Sequence, residues 1–254
     1  MLKYLTRKVK AALSLLILVT GSLLFMYAVP MAPAPERQLE ASMPMAVPDS
    51  PALHVVLDTL YEVLSLDSME LSHDAFSYAL QGLENLEDAG VVSNDSVITV
   101  IDFSLPSYKK RLFVIDLASG ELLFNTYVSH GRNSGTDMAK RFSNRYNSYQ
   151  SSPGFYITGN TYYGEHGYSL RLDGKEEGIN DNANMRKIVM HPADYVSNRS
   201  IKTLGYLGRS LGCPAIPQSV HKPLINTIKD GSCLFIYSPD TNYINQSDLI
   251  AAAP

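Results

Sequence analysis

Apolar positions change rhythm several times along this chain. From Ala11 to Val29 they are almost continuous, LSLLILVTGSLLFMYAV with its leading alanines, and Lys3, Arg7, Lys8 and Lys10 precede them. A basic start followed by an apolar run is the layout of an export signal. A span of that length is also just long enough to cross a bilayer, so residues 1–30 are expected to be a signal peptide or an N-terminal membrane anchor. Residues 31–51 form a Pro-rich linker, which should be extended. Leu53, Val56, Leu57, Leu60, Val63 and Leu64 then recur at helical spacing. Phe76, Ala79, Leu80, Leu83 and Leu86 do so again, with Ser72 as N-cap, Asp74 in the first turn and Gly90 as stop. The spacing predicts a helical hairpin over 52–92, packed on the domain that follows. Gly82 inside the second stripe runs against that pattern.

From Ser96 the period becomes two. Val97-Ile98-Thr99-Val100-Ile101 is rich in β-branched residues, and RLFVIDL and ELLFNTYV flank a turn at Ala118-Ser119-Gly120. Further strands are expected at GFYITGNTYY, GYSLRL, RKIVMH and CLFIY, with one helix over 219–229 capped by Ser219. Many short strands separated by turn residues suggest a β-sandwich or a partly closed barrel. The resulting domain runs over 93–240, with 241–254 as a C-terminal tail.

Composition narrows the function. The chain has 254 residues, 45% of them hydrophobic and 18% charged, with a net charge of -4. That argues against a disordered chain, a polytopic membrane protein and a dedicated nucleic-acid binder. Charge is segregated: residues 36–95 hold 12 acids against Arg37 alone, which reads as the solvated face of the helical hairpin. Ser129–Ser152 spans 24 residues with no clear period and carries Arg132, Lys140, Arg141 and Arg145 against Asp137 alone. A loop of that length inside a compact domain is functional or disordered, and its charge suits an anionic ligand.

Two cysteines are too few for a disulfide scaffold or a Cys-based zinc site. Cys233 opens the apolar run Cys233-Leu234-Phe235-Ile236-Tyr237 and reads as a buried hydrophobe. Cys213 lies in Arg209-Ser210-Leu211-Gly212-Cys213-Pro214, where glycine and proline set a rigid bend that can present a side chain. A reactive thiol needs a base. His191, at the end of the strand Arg186–Met190, is the best candidate; His221 and His166 are weaker. His130, beside Gly131, could line the same cleft. A Cys213–Cys233 disulfide is the competing reading of the residues alone, and no metal-ligand spacing is present.

His191 followed at a distance by Ser210-Leu211-Gly212-Cys213 resembles the H…S-x-G-C signature of the bacterial L,D-transpeptidases, specifically the murein L,D-transpeptidase catalytic-domain family. The resemblance covers roughly residues 70–240 and includes VSHGRNSG, GINDNANMRKIVMHPADYV and LGRSLGCPAIP. It implies an α+β fold, a mainly antiparallel β catalytic domain preceded by the helical hairpin. It implies Cys213 as nucleophile, His191 as general base, and Ser210 and Gly212 as the motif whose backbone N–H groups help form the oxyanion hole. Better-studied members carry glycine after the histidine and arginine two residues after the cysteine. Here those positions are Pro192 and Ala215, and Arg209 is the candidate for the missing charge, with Arg132 and His130 as further substrate-binding candidates.

The implied chemistry is acyl transfer on peptidoglycan stem peptides, donor and acceptor, through a thioester, with no cofactor and no metal. The implied location is the extracytoplasmic envelope of a bacterium, with residues 11–29 as a possible membrane anchor. An L,D-carboxypeptidase hydrolysing the same bond and a non-catalytic wall-binding domain are the alternatives.

Overall fold

In the computed structural model, residues 59–250 are described. The expected export segment, the linker and most of the first hairpin helix lie outside them. Residues 59–63 are helical and turns follow over 64–70, ending on the buried Leu66 and Leu71.

Helix α1 (His73–Asp88) forms where the stripe predicts it. The Ser72 side chain accepts from the Ala75 N–H at 3.3 Å and so caps it. At its far end the Val91 and Gly90 N–H groups return to Leu86 and Glu87 carbonyls, and Gly90 takes the left-handed φ of 71° that this closure requires. Gly82 has a packing reason: the Phe155 ring occupies the space a Cβ would need, so the missing side chain lets the helix lie flat on the sheet.

The sheet has eight strands: β1 (Val97–Asp102), β2 (Leu112–Asp116), β3 (Glu121–Thr126), β4 (Gly154–Gly164), β5 (Gly167–Gly174), β6 (Val189–Pro192), β7 (Ala215–Ile216) and β8 (Cys233–Tyr237). Their order is β3-β2-β1-β8-β4-β5-β6-β7. The β2–β3 turn forms at the expected place, with Asp116 Oδ1 accepting from the Ala118 and Ser119 N–H groups. The sheet is mixed: β1 runs parallel to β8 and β6 parallel to β7, while the other neighbours are antiparallel. The chain leaving β3 curls back onto β7, where the Ser129 N–H meets the Ala215 carbonyl and Gly131 bridges to Ser210. The result is barrel-like with few helices. All six residues of β1 are buried, as are all five of β8, because these central strands have α1 on one face and the main core on the other.

Three expectations change. The strand expected from Arg186 begins only at Val189; Lys187 sits at φ 57°, in a turn that delivers the chain to β6. Helix α3 (His221–Ile228) follows the short α2 (Asn198–Leu204), and its cap position is Val220, with no side-chain hydrogen bond, instead of Ser219. Residues 241–250 are docked instead of trailing: α4 (Thr241–Gln246) buries Tyr243, and Ile250 is buried beyond it. The anchor is the buried Glu176 carboxylate, which accepts from the Phe155 N–H at 2.6 Å and from Ser247 Oγ. Burial pushes its pKa up, and those hydrogen bonds pull against that shift.

Candidate active site

The register of β6 and β7 pairs His191 with Ala215. Cys213 lies two residues before Ala215, in the bend that leads into β7, and its thiol faces the backbone that leads into β6. Cys213 Sγ points to the Lys187 carbonyl at 3.6 Å, and the Val189 N–H approaches the sulfur. No hydrogen bond joins Cys213 to His191 among the described residues.

The bend carrying the thiol is built by Ser210. Its Oγ accepts from the Gly212 N–H at 3.1 Å and donates to the Cys213 carbonyl at 2.6 Å. Gly212 has φ 127°, and a Cβ there would lie 2.8 Å from the Gln150 carbonyl oxygen, so only glycine fits. These bonds revise the expected oxyanion donors. The Ser210 N–H is taken by the His130 carbonyl at 3.0 Å and the Gly212 N–H by Ser210 Oγ. The Leu211 N–H has no hydrogen-bond partner among the described residues, and the Cys213 N–H approaches its own sulfur.

His191 is 3% exposed, and its Nδ1 lies 3.0 Å from the Pro192 carbonyl. A carbonyl can only accept, so Nδ1 carries the proton and the Nε2 lone pair is left as a base. The His166 ring, on the β4–β5 turn, stacks on His191 at 4.3 Å between centroids. Burial lowers the His191 pKa below 6.5, and the neighbouring His166 adds to that shift, while the Pro192 carbonyl opposes it. Burial raises the Cys213 pKa above the usual thiol value, with the Val189 N–H and the Arg186 charge opposing. Both shifts favour a neutral imidazole and a thiol over a preformed ion pair.

Ser129–Ser152 has neither helix nor regular strand, yet it is internally bonded. The Gly131 N–H donates to Ser151 Oγ at 3.0 Å, and that hydroxyl donates to the Gly212 carbonyl at 3.1 Å. Arg209 braces the loop, its Nη1 donating to the Arg132 and Gly135 carbonyls at 3.3 and 2.9 Å. Arg132 stays exposed, its guanidinium 4.3 Å from the Tyr149 ring centroid. His130 does not line a cleft: it is 0% exposed and its Nδ1 meets Arg111 Nη2 at 2.8 Å. Burial, with the Arg111 charge beside it, pushes its pKa down to about 3. Arg111 is itself fully buried, spending its donors on the Val128 and Leu105 carbonyls. A cleft of about 480 Å³ opens past the C-terminal ends of β6 and β7, with Phe124, Tyr127, Asp194 and Gln218 among its walls.

Comparison with known proteins decides the family. A model of the L,D-transpeptidase catalytic domain matches residues 67–237. The chain belongs to that family. No curated protein matches at a significant level. Among solved structures, an L,D-transpeptidase from Mycobacterium smegmatis aligns at 13% identity and a TM-score of 0.35, covering 56% of this chain and 59% of that one. L,D-transpeptidase 3 from Mycobacterium tuberculosis aligns at 13% identity and a TM-score of 0.36, over 56% and 61%. An L,D-transpeptidase from Xylanimonas cellulosilytica aligns at 14% identity and a TM-score of 0.33, over 82% and 100%. This L,D-transpeptidase domain thus spans under two thirds of the two mycobacterial chains. Among its described residues no helix is long and apolar enough to cross a membrane, and no group of three or more potential metal ligands occurs.

Arg186 is a site residue the sequence does not mark, and His166 is marked only as a weaker candidate base. Arg186 is a charge before a strand, with nothing local to show where its head goes. His166 reads as a turn residue, and its stacking on His191 depends on strand pairing. The Met-Arg-Lys run before an apolar strand was the one available signal for Arg186.

Proposed function

We propose that the protein is a cysteine acyltransferase that acts on peptidoglycan stem peptides through a thioester, exported to the cell envelope by its N-terminal segment. The observation that supports this reading is the parallel β6–β7 pairing, which sets His191 opposite Ala215, two residues after Cys213, with Nδ1 of His191 tied down so that Nε2 is the base.

In this mechanism Nε2 takes the Cys213 proton as the sulfur attacks the carbonyl between the L-centre of the diamino acid and the following D-residue. The developing oxyanion is met by the Leu211 and Cys213 N–H groups, each such donor contributing about 3–4 kcal/mol. The C–N bond then breaks, the leaving amine takes the proton from His191, and a thioester and a free D-amino acid result. An acceptor amine attacks the thioester, gives its proton to Nε2, and forms the new amide as the thiol is restored. Because thiol and imidazole both start neutral, proton transfer accompanies attack.

The test is intact-protein mass spectrometry after incubation with a stem tetrapeptide. The expected result is an adduct on Cys213 with loss of the terminal D-residue, converted to a cross-linked dimer by a second stem peptide. Conversion to a free tripeptide alone would make the enzyme a carboxypeptidase. Absence of any adduct would overturn the proposal.

A further inference from the structure

Arg186 is the most heavily bonded side chain near the nucleophile, and neither the signature motif nor the acyl-transfer scheme uses it. Its Nη1 donates to the Ser143 carbonyl at 2.7 Å and to Ser152 Oγ at 2.5 Å. Its Nη2 donates to the Gln150 carbonyl at 2.6 Å and to Ser148 Oγ at 3.2 Å. All four Nη hydrogens are thereby engaged, within one stretch of the long loop. The head group also borders the nucleophile turn: a Cβ on Gly212 would lie 3.3 Å from Arg186 Nη2 and 2.8 Å from the Gln150 oxygen that Nη2 holds. One guanidinium therefore touches both walls of the site.

We propose that Arg186 is a positioning residue for the nucleophile: it clamps the 143–152 segment onto the Gly212–Cys213 turn and sets a fixed positive charge against the Cys213 sulfur. The proposal rests on the reading of Cys213 as nucleophile. It gives the site the cation that Ala215 withholds and that Arg209 cannot give, since the Arg209 head is turned to the Arg132 and Gly135 carbonyls.

The surroundings of the thiol leave this role to Arg186. The ionisable groups whose fields reach it are Tyr156 on β4, Tyr195 beyond β6, and Arg186. Burial pushes the Tyr156 phenol far up and the Tyr195 phenol to about 12, and it lowers the pKa of His191 on the neighbouring β6. An arginine stays protonated in such a site, and its charge favours the thiolate that burial disfavours. With its Nη donors spent, Arg186 has little left for a substrate carboxylate, so its loss should change reactivity more than binding.

The experiment uses the full chain and iodoacetamide, which needs no stem peptide. Below the thiol pKa, the alkylation rate follows the thiolate fraction, one unit of pKa being about tenfold. Arg186→Gln is expected to slow Cys213 alkylation about tenfold at pH 8, with the rate recovering as pH rises. Arg186→Lys keeps the charge but not the fork. It should stay within about threefold of wild type in alkylation while proteolysis within 129–152 increases. With a stem tetrapeptide, KM should change less than about twofold in both variants, and the acylation rate should track alkylation. Unchanged alkylation in a folded Arg186→Gln protein overturns the proposal. So does an Arg186→Lys protein that loses tenfold or more, and that arm decides alone should the glutamine variant not fold. A large rise in KM at unchanged alkylation would make Arg186 a substrate anchor and also overturn it. A wild-type protein that alkylates as described but forms no adduct with stem peptide would sink the proposed function and leave this reading standing.

Discussion

The two thiols of this chain sit in opposite kinds of place. Cys233 lies in the middle of the sheet, 0% exposed, between Ile98 on β1 and Ile157 on β4. Burial drives its pKa far up, and the negative fields of Glu87 and Glu176 push the same way. Cys213 is half-buried; desolvation raises its pKa too, but there the Val189 N–H and Arg186 work against the penalty. The lesson is that a reactive cysteine differs from an inert one in partial exposure together with polar groups that offset desolvation. In this domain those groups come from the start of β6 and one loop-spanning arginine.

The sharpest way to break the comparison is to exchange the roles. Cys213→Ala should abolish the acyl adduct at every pH, since the one other thiol, Cys233, is fully buried. An adduct forming at the wild-type rate in this variant would remove Cys213 from the mechanism. Next comes His191→Gln, with acylation expected to fall about 10²–10⁴-fold. Because the His191 pKa is lowered below 6.5, more than half of the imidazole is free base at pH 6.5, and the base-dependent part of the wild-type rate should decline as pH falls through that depressed value. A decline centred above 6.5 in a stopped-flow pH profile would contradict the buried, His166-stacked geometry.

Gly212→Ala should cost about 1–3 kcal/mol in thermal unfolding, by forcing a side chain into a left-handed position against the Gln150 carbonyl. It should slow acylation through displacement of the turn; an unchanged melting temperature would show that the bend is not held as described. The smallest effect is expected from Cys233→Ala: about 1 kcal/mol of stability for the lost packing, with acylation at the wild-type rate. Iodoacetamide should label Cys213 and leave Cys233 untouched until the protein unfolds, as peptide mapping would read.

Where the sequence was informative, local physics explains why. The Ser72 cap and the stripe from Phe76 to Leu86 need only their own neighbours to be read, and α1 follows them closely. The Gly-Cys-Pro bend and His191 were legible for the same reason. What was hidden depends on residues far apart. A strand as short as β7 has no period to detect, so the parallel pairing that sets His191 opposite Ala215, two residues after Cys213, could not be read. His130 reads as the mouth of a loop because its burial is compensated by Arg111, two strands away in sequence. The engagement of the Ser210 and Gly212 amides could not be foreseen either, since a motif names residues and not the direction of their N–H groups.

One consequence of the sheet order concerns how the domain comes into being. β1 has β2 as a local neighbour, but its other edge is closed by β8, the last strand to be made. The same late strand closes β4. Until Cys233–Tyr237 arrives, two apolar edges in the centre of the sheet stay open. Contacts so distant in sequence are the slow ones to form, and open edges invite pairing with other chains. This architecture therefore completes late and cooperatively: a chain cut short before β8 should yield aggregate instead of a smaller working domain, and refolding should depend strongly on protein concentration.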